Sequence, residues 1–223
     1  MFLRAIVSLG AFLGFVGAAV FLPAGDLWWP NGWTLLLVLA ALTAPSVLYL
    51  RRTNPDIFIA RSKIHAGTKS WDKVLLTFLL LSLGAEFPVA ALDAGRFHWS
   101  SVPLWLMALG YALLSAGYAI SIWAYRVNKF AEPGVRIQKE RAQTVIDTGP
   151  YAVVRHPVYL GGLLIALSIP LALGSFWALV PAGAGCLVLV VRIVLEERTL
   201  RQELEGYKGY MSRVRYRLIT GIW

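Results

Sequence analysis

Apolar residues occur in six long blocks along this chain, and shorter polar stretches separate the blocks. A run of about 20 mostly apolar residues is long enough to cross a bilayer as an α-helix. We therefore predict an all-α protein, a polytopic membrane helical bundle with about six spans. The predicted spans are 2–23, 33–50, 74–92, 102–125, 158–173 and 176–191.

The last two blocks predict a helical hairpin. Each is near the lower limit of ~17 residues for a span, and Gly174-Ser175 between them is a turn signal. After Val191 the pattern becomes charged and amphipathic, which predicts a cytosolic C-terminal helix. The pattern divides the chain into N-terminal transmembrane helices, 1–125, and a C-terminal core, 126–223.

The positive charges favour one side of the predicted bundle. Of the 21 Lys and Arg residues, all but Arg96 fall at Arg4, in 51–73, in 126–155 or in the tail from Arg192. An excess of Lys and Arg marks the cytoplasmic side of membrane proteins. We expect an integral membrane protein with both termini in the cytoplasm. Topology and anionic lipid headgroups account for the net charge of +9, so no nucleic-acid partner is expected.

Composition excludes several chemistries. The chain is 58% hydrophobic and only 15% charged, which is unusual for a soluble protein of this length. A lone Cys186 cannot form an internal disulfide. The three histidines, His65, His98 and His156, are too few for a metal cluster, so no metal is expected. A glycine-rich phosphate loop and a Ser-His-acid set are both absent from the sequence. The oligomeric state is left open.

The stretch 143–159 is the strongest candidate for a functional site. It is polar, and Gly149-Pro150 and Pro157 break the helical pattern beside the apolar run 158–173. Non-helical backbone at membrane depth normally lines a cavity. The predicted hairpin brings the chain back to the same side, where Arg192 and Glu196 share a helix face at i, i+4 spacing. We expect these two residues, His156 and Tyr159 to line one pocket that opens to the cytosol and to the bilayer.

Two features outside this stretch have alternative interpretations. Glu86 lies within an apolar block, and an acid at that depth is a functional candidate. The alternative is a structural ion pair with Arg96. The connection 54–73 is basic and of mixed polarity, a pattern that also fits a helix lying on the membrane surface.

The run Gly149-Pro150-Tyr151, followed by RHPVY at 155–159, resembles the signature of the isoprenylcysteine carboxyl methyltransferase family. The pattern from Arg192 to the end of the chain resembles that family too. The family is related to phospholipid N-methyltransferases and, more distantly, to sterol reductases. The resemblance implies a methyltransferase core at 126–223 and S-adenosylmethionine as methyl donor. The donor would bind at the cytosolic face, and a lipophilic acceptor would come from the bilayer. The chain resembles bacterial members of the family, which implies a location in a bacterial inner membrane.

The resemblance also implies roles for individual residues. It gives catalytic roles to Arg192 and Glu196, and substrate contacts to Arg192, Asn128 and Tyr210. Gln143 stands where the eukaryotic prenylcysteine enzymes have a histidine, so the chain departs from that subgroup at this position, although Gln143 can still hydrogen-bond a ribose or a carboxylate. The implied cofactor contacts are Gln138, Gln143, Thr144, Val145, Ile146, Tyr151, His156, Pro157, Val158, Tyr159, Glu196 and Glu197.

Four functions follow as hypotheses. The first is methyl transfer from S-adenosylmethionine to a prenylcysteine-type carboxylate, which needs only an orienting cation such as Arg192. The second is methylation of a phospholipid amine, which needs a base such as Glu196. The third is an NADPH-dependent sterol-type reductase, and the fourth is a non-enzymatic membrane scaffold.

Overall fold

The computed structural model describes residues 2–223, with side chains from residue 7 onward, so the charge of Arg4 lies outside the described side chains. Over this range the chain is helical and contains no strand. A π-helical turn, Ala91–Phe97, extends α4, and two short 3-10 turns, Lys139–Arg141 and Gly149–Ala152, occur in the connection before α6. The helices are α1 (Phe2–Ala24), α2 (Pro30–Thr53), α3 (Asp56–Ala60), α4 (Ser70–Ala90), α5 (Leu104–Val127), α6 (Pro157–Leu173), α7 (Leu179–Glu203) and α8 (Tyr207–Arg213).

The all-α fold class is confirmed. By length and composition, α1, α2, α4 with its π-helical turn, α5 and α7 could each cross a membrane, whereas α6 has only 17 residues. Helix α6 nevertheless runs between the same two ends of the bundle. At one end His156 N donates to Arg217 O at 2.9 Å, and at the other Asn31 Nδ2 donates to Leu173 O at 3.2 Å. The count of six spans depends on α6 and stays a prediction.

Helix α7 differs from the prediction that it ends at Val191. It continues to Glu203 and carries Arg192 and Glu197 within it, both buried. The predicted span 176–191 ends before Arg192 because an unpaired charge is costly in an apolar environment. Here each buried charge has an oppositely charged partner, so the helix continues through them.

Asp93 closes the end of the bundle that is remote from 143–159. Its carboxylate is fully buried and accepts hydrogen bonds from Ser100 N at 2.8 Å, Ser100 Oγ at 2.6 Å and Ser175 Oγ at 2.5 Å. These bonds tie the end of α4 to the loop before α5 and to the α6–α7 turn. Gly174 ends α6 with φ of +83°, a backbone conformation that glycine adopts without strain, so the turn lies where the sequence predicts it.

The expected ion pair between Glu86 and Arg96 is not formed. Glu86 is 1% exposed, and its Oε1 has no hydrogen-bond partner among the described residues. The guanidinium of Arg96 lies instead over the ring of Phe97, 5.7 Å from its centroid. The connection 54–73 contains the short α3, which buries Ile57 and Ala60, and the first turn of α4, which begins at Ser70.

Helices α5 and α6 pack with their backbones in close contact. A Cβ atom added at Gly117 would lie 2.8 Å from the carbonyl oxygen of Gly161 and 2.8 Å from Cγ1 of Ile165. A Cβ at Gly110 would lie 2.6 Å from the backbone nitrogen of Ala172. Small residues let membrane helices approach this closely, because packing rather than the hydrophobic effect drives their association.

We predict that Gly117→Ala lowers the stability of the detergent-purified protein by about 1–3 kcal/mol, because the added methyl group must push α6 away. Thermal denaturation measures the effect. Gly84→Ala is the matched control, since a Cβ at Gly84 in α4 meets nothing within 4 Å. Equal melting temperatures for the two variants would show that α5 and α6 tolerate a wider spacing.

Candidate active site

A cavity of about 450 Å³ lies at the end of the bundle where α5, α6 and α7 meet the connection 128–156. Its volume is within the range of about 300–1,000 Å³ that is typical of sites for small molecules. One side, which we call the polar wall, consists of residues from 128–159 and 192–210. The other side, the apolar wall, consists of Leu76, Leu79, Leu80, Leu83, Ile165 and Leu189.

The apolar wall extends to the outer surface of the bundle. Leu76, Leu79, Leu80 and Leu83 follow an i, i+3, i+4, i+7 spacing, so they form one face of α4. Leu80 is 64% exposed although it also lines the cavity. A hydrocarbon chain could therefore contact this wall from the membrane side.

Most of the residues that the sequence singled out line this cavity. Pro157 and Glu197 do not: Pro157 begins α6, and Glu197 faces Arg155 and the C-terminal segment. The cavity-lining members are Asn128, Gln138, Gln143, Thr144, Val145, Ile146, Tyr151, His156, Val158, Tyr159, Arg192, Glu196 and Tyr210.

The carboxylate of Glu197 holds three cationic or polar groups together. Glu197 is 3% exposed, and its oxygens accept from Arg155 Nε at 2.5 Å, His156 Nε2 at 3.3 Å and Arg217 Nε at 2.8 Å. Arg155 Nη1 also donates to the carbonyl oxygens of Val214 and Arg215. This cluster fixes the start of α6 and the C-terminal segment against α7.

A second buried ion pair lies five residues earlier on α7. Nε of Arg192 donates to Oδ1 of Asp72 at 2.6 Å, and Nη2 donates to Oδ2 at 3.1 Å. Asp72 is fully buried at the start of α4 and also accepts from Val135 N at 2.7 Å. Nη2 of Arg192 donates in addition to the carbonyl oxygen of Pro133. The pair thereby joins α4, α7 and the 133–135 part of the polar wall.

Glu196 is the cavity-lining acid that has no ion pair with any side chain the structure describes. Its Oε2 accepts a hydrogen bond from the hydroxyl of Tyr159. The ring of Tyr159 in turn faces the guanidinium of Arg192, and the guanidinium carbon lies 5.5 Å from the ring centroid. Glu132, the other acid in the cavity, is paired with Arg136 at 2.7 Å. The negative charge of Glu196 is therefore available to a positively charged ligand.

Several predicted contact residues use their polar atoms to build the wall itself. Asn128 Nδ2 donates to the hydroxyl of Tyr151 at 2.9 Å, and Tyr210 donates to the carbonyl oxygen of Tyr151 at 2.8 Å. Gln138 Nε2 donates to Phe130 O at 2.7 Å. Burial raises the pKa of the Tyr151 and Tyr210 phenols above their usual range, so both stay protonated at neutral pH.

A family model described as phospholipid methyltransferase matches residues 105–205. The chain is similar to that family over a range that runs from α5 to the end of α7, and it includes Tyr151, His156, Arg192 and Glu196. No curated protein matches the chain. The match indicates a membrane methyltransferase. The narrower resemblance to the isoprenylcysteine carboxyl methyltransferases stays a prediction.

Sequence reasoning missed the part of the site that lies outside the matched range. The sequence indicated no role for Asp72, because its partner, Arg192, lies 120 residues further along the chain. The signal was an acid at the start of an apolar segment, flanked by Lys69 and Lys73. The leucines of the apolar wall carry no sequence signal, because leucine is common on every face of a membrane helix.

We predict that Glu197→Gln destabilises the protein by about 3–5 kcal/mol, because it leaves Arg155 buried without a counter-charge. Thermal denaturation in detergent measures the loss, and faster proteolysis within 214–223 reports release of the C-terminal segment. Asp147→Asn serves as the control. It removes the acid of an exposed pair with Arg213, so it should cost no more than about 1 kcal/mol. Similar losses in both variants would argue against a special role for the Glu197 cluster.

Proposed function

We propose that this protein is a membrane-embedded S-adenosylmethionine-dependent methyltransferase whose acceptor is a lipid with an amino headgroup. The observation that carries the proposal is the cavity, in which an uncompensated carboxylate lies between a polar wall and an apolar wall. The similarity to phospholipid methyltransferases supports the same class of acceptor.

The residues of the polar wall fit the proposed donor. S-adenosylmethionine carries a sulfonium and an ammonium group, and a carboxylate beside an aromatic ring suits such cations. Glu196 and Tyr159 provide this pair. The apolar side chains of Val145 and Leu204 line the same cavity and suit a nucleoside ring. When bound, the donor supplies a methyl group attached to a sulfonium sulfur. After transfer of the methyl group, the sulfur is a neutral thioether, which makes it a good leaving group.

The apolar wall fits the tail of the acceptor. Burial of hydrocarbon against the leucines of α4 would hold the lipid in one orientation and keep water from that side of the cavity. Fixing two reactants in a productive geometry can contribute ~7–11 kcal/mol to lowering a barrier. For a sulfonium donor, which is already activated, alignment is the main requirement.

An amine acceptor additionally needs to lose a proton, because a protonated amine has no lone pair with which to attack. Glu196 is the candidate base. Its Oε1 accepts no hydrogen bond from the described residues, while Oε2 is held by Tyr159. In this mechanism the proton passes from the ammonium to Glu196, the nitrogen forms a bond to the methyl carbon, and the carbon–sulfur bond breaks.

A prenylcysteine-type carboxylate is the second candidate acceptor, and one observation favours it. Arg192 lines the cavity, and none of the described residues accepts a hydrogen bond from its Nη1. Nη1 could donate to a carboxylate, which would need no base. The two candidates differ in product, because methylation of a carboxylate gives an ester and methylation of an amine does not.

The deciding experiment uses methyl-labelled S-adenosylmethionine and purified protein with either phosphatidylethanolamine vesicles or N-acetyl-S-farnesylcysteine. We expect label in the phospholipid, in a form that survives mild base. Label that mild base releases as methanol would instead support the carboxylate acceptor. Absence of transfer to both acceptors, together with no thermal stabilisation by S-adenosylhomocysteine, would reject the methyltransferase proposal.

We predict that Glu196→Gln lowers kcat by at least about 100-fold, because the variant keeps the side-chain shape but cannot take up the proton. S-adenosylhomocysteine affinity, measured by calorimetry, should also fall, because Glu196 faces the ammonium group of the ligand, but by a smaller factor than kcat. Glu205→Gln is the control, since Glu205 is exposed after the end of α7 and should leave turnover unchanged. Retained turnover in Glu196→Gln would remove Glu196 from the chemical step.

A further inference from the structure

Asp72 is placed to control the charge of a cavity that it does not itself line. It is fully buried, and both of its oxygens face Arg192, which does line the cavity. The formal charges of Asp72 and Arg192 are opposite, so the ion pair has no net charge. A ligand that reaches Arg192 therefore meets a guanidinium whose attraction for an anion is opposed by the carboxylate immediately behind it.

The other charges around the cavity are also compensated or screened. Arg136 is paired with Glu132 and with Glu140. Arg155 and Arg217 share the carboxylate of Glu197, so that cluster has one excess positive charge, whereas Arg136 with its two acids has one excess negative charge. These two excess charges are opposite in sign, and Glu196 remains as the lining acid without an ion pair among the described residues.

Arg61 is the remaining cation that lines the cavity. It is exposed, and its guanidinium lies over the ring of Tyr125 at 4.8 Å. Its field is weakened because solvent and salt screen exposed charges. The carboxylate of Glu196 therefore biases the cavity toward positively charged ligands.

We infer that Asp72 is a specificity-determining residue, which makes the site select a positively charged acceptor headgroup and reject a carboxylate. The inference rests on the proposed function and names the residue that sets its acceptor class. Without the charge of Asp72, the positive charge of Arg192 would be opposed only by the more distant Glu196, so Arg192 would attract carboxylates more strongly. Asp72 acts through Arg192, so it is a positioning residue and not a catalytic one.

Asp72 also shapes the wall through Val135 N, so a test must separate its charge from its structural contacts. Three variants separate the two effects, because they change the net charge of the Asp72–Arg192 pair in different directions. Asp72→Asn adds one positive charge to the pair, Arg192→Gln removes one, and the double variant restores neutrality with two uncharged polar side chains. The double variant should also fold well, because replacing a buried ion pair by neutral groups avoids an unpaired charge.

The probes are dodecanoate and dodecylamine, which share a chain and differ in headgroup charge. Calorimetric titration in an uncharged detergent at about pH 8 keeps a carboxyl ionised and an alkylamine protonated. The measured quantity is the dissociation constant of dodecanoate divided by that of dodecylamine. We expect this ratio to exceed one in the unmodified protein, to fall at least about tenfold in Asp72→Asn and to rise in Arg192→Gln. In the double variant it should return to near the unmodified value.

Each outcome bears on the inference. An unchanged ratio in Asp72→Asn, or equal ratios in Arg192→Gln and the double variant, would overturn it. If Asp72→Asn does not fold, the comparison of the other two variants still decides. Gly117→Ala controls for general destabilisation and should leave the ratio unchanged. Failure of the unmodified protein to bind S-adenosylhomocysteine would count against the proposed function itself, whereas normal binding with an unchanged ratio would count against Asp72 alone.

Discussion

A charge buried inside a membrane protein needs an opposite charge beside it, and α7 buries two charges within two turns. Arg192 finds Asp72 on α4, and Glu197 finds Arg155 at the start of α6. Because removal of one partner from a buried pair is costly, these contacts restrict how the helices can pack. The cavity, the course of the connection 128–156 and the position of the C-terminal segment all depend on these two pairs.

The spacing of charges along α7 explains how one helix can both hold the bundle together and face a ligand. Arg192 and Glu196 are four residues apart and share the face that lines the cavity, whereas Glu197 is turned toward Arg155 and the C-terminal segment. One turn of helix thus presents a compensated cation and an uncompensated acid to the same space. Tyr159 connects the two, since it donates to Glu196 and lies against Arg192.

The sequence predicts the helical class, the α6–α7 turn and the polar stretch 143–159, because apolar run length and Gly or Pro breaks act locally. It does not predict where α7 ends, since that depends on partners of Arg192 and Glu197 that are distant in sequence. For the same reason, the sequence does not predict a role for Asp72. The motif indicated Tyr151, His156 and Glu196, and all three line the cavity. It did not indicate which polar side chains are already bonded within the protein, as Gln138 is to Phe130, and which can bind a ligand.

The division of the cavity into two walls separates two physical tasks. The polar wall lies mostly on irregular backbone, whose conformation is held by side-chain hydrogen bonds such as that of Asn128 to Tyr151. The apolar wall lies on regular helices, whose backbone groups are satisfied internally, so it can face lipid without cost. If the protein acts as proposed, residues of the apolar wall could differ with the length or shape of a lipid tail while the donor side stays intact. The proposal assigns headgroup choice to a different set of residues, through the balance of charge between Asp72, Arg192 and Glu196.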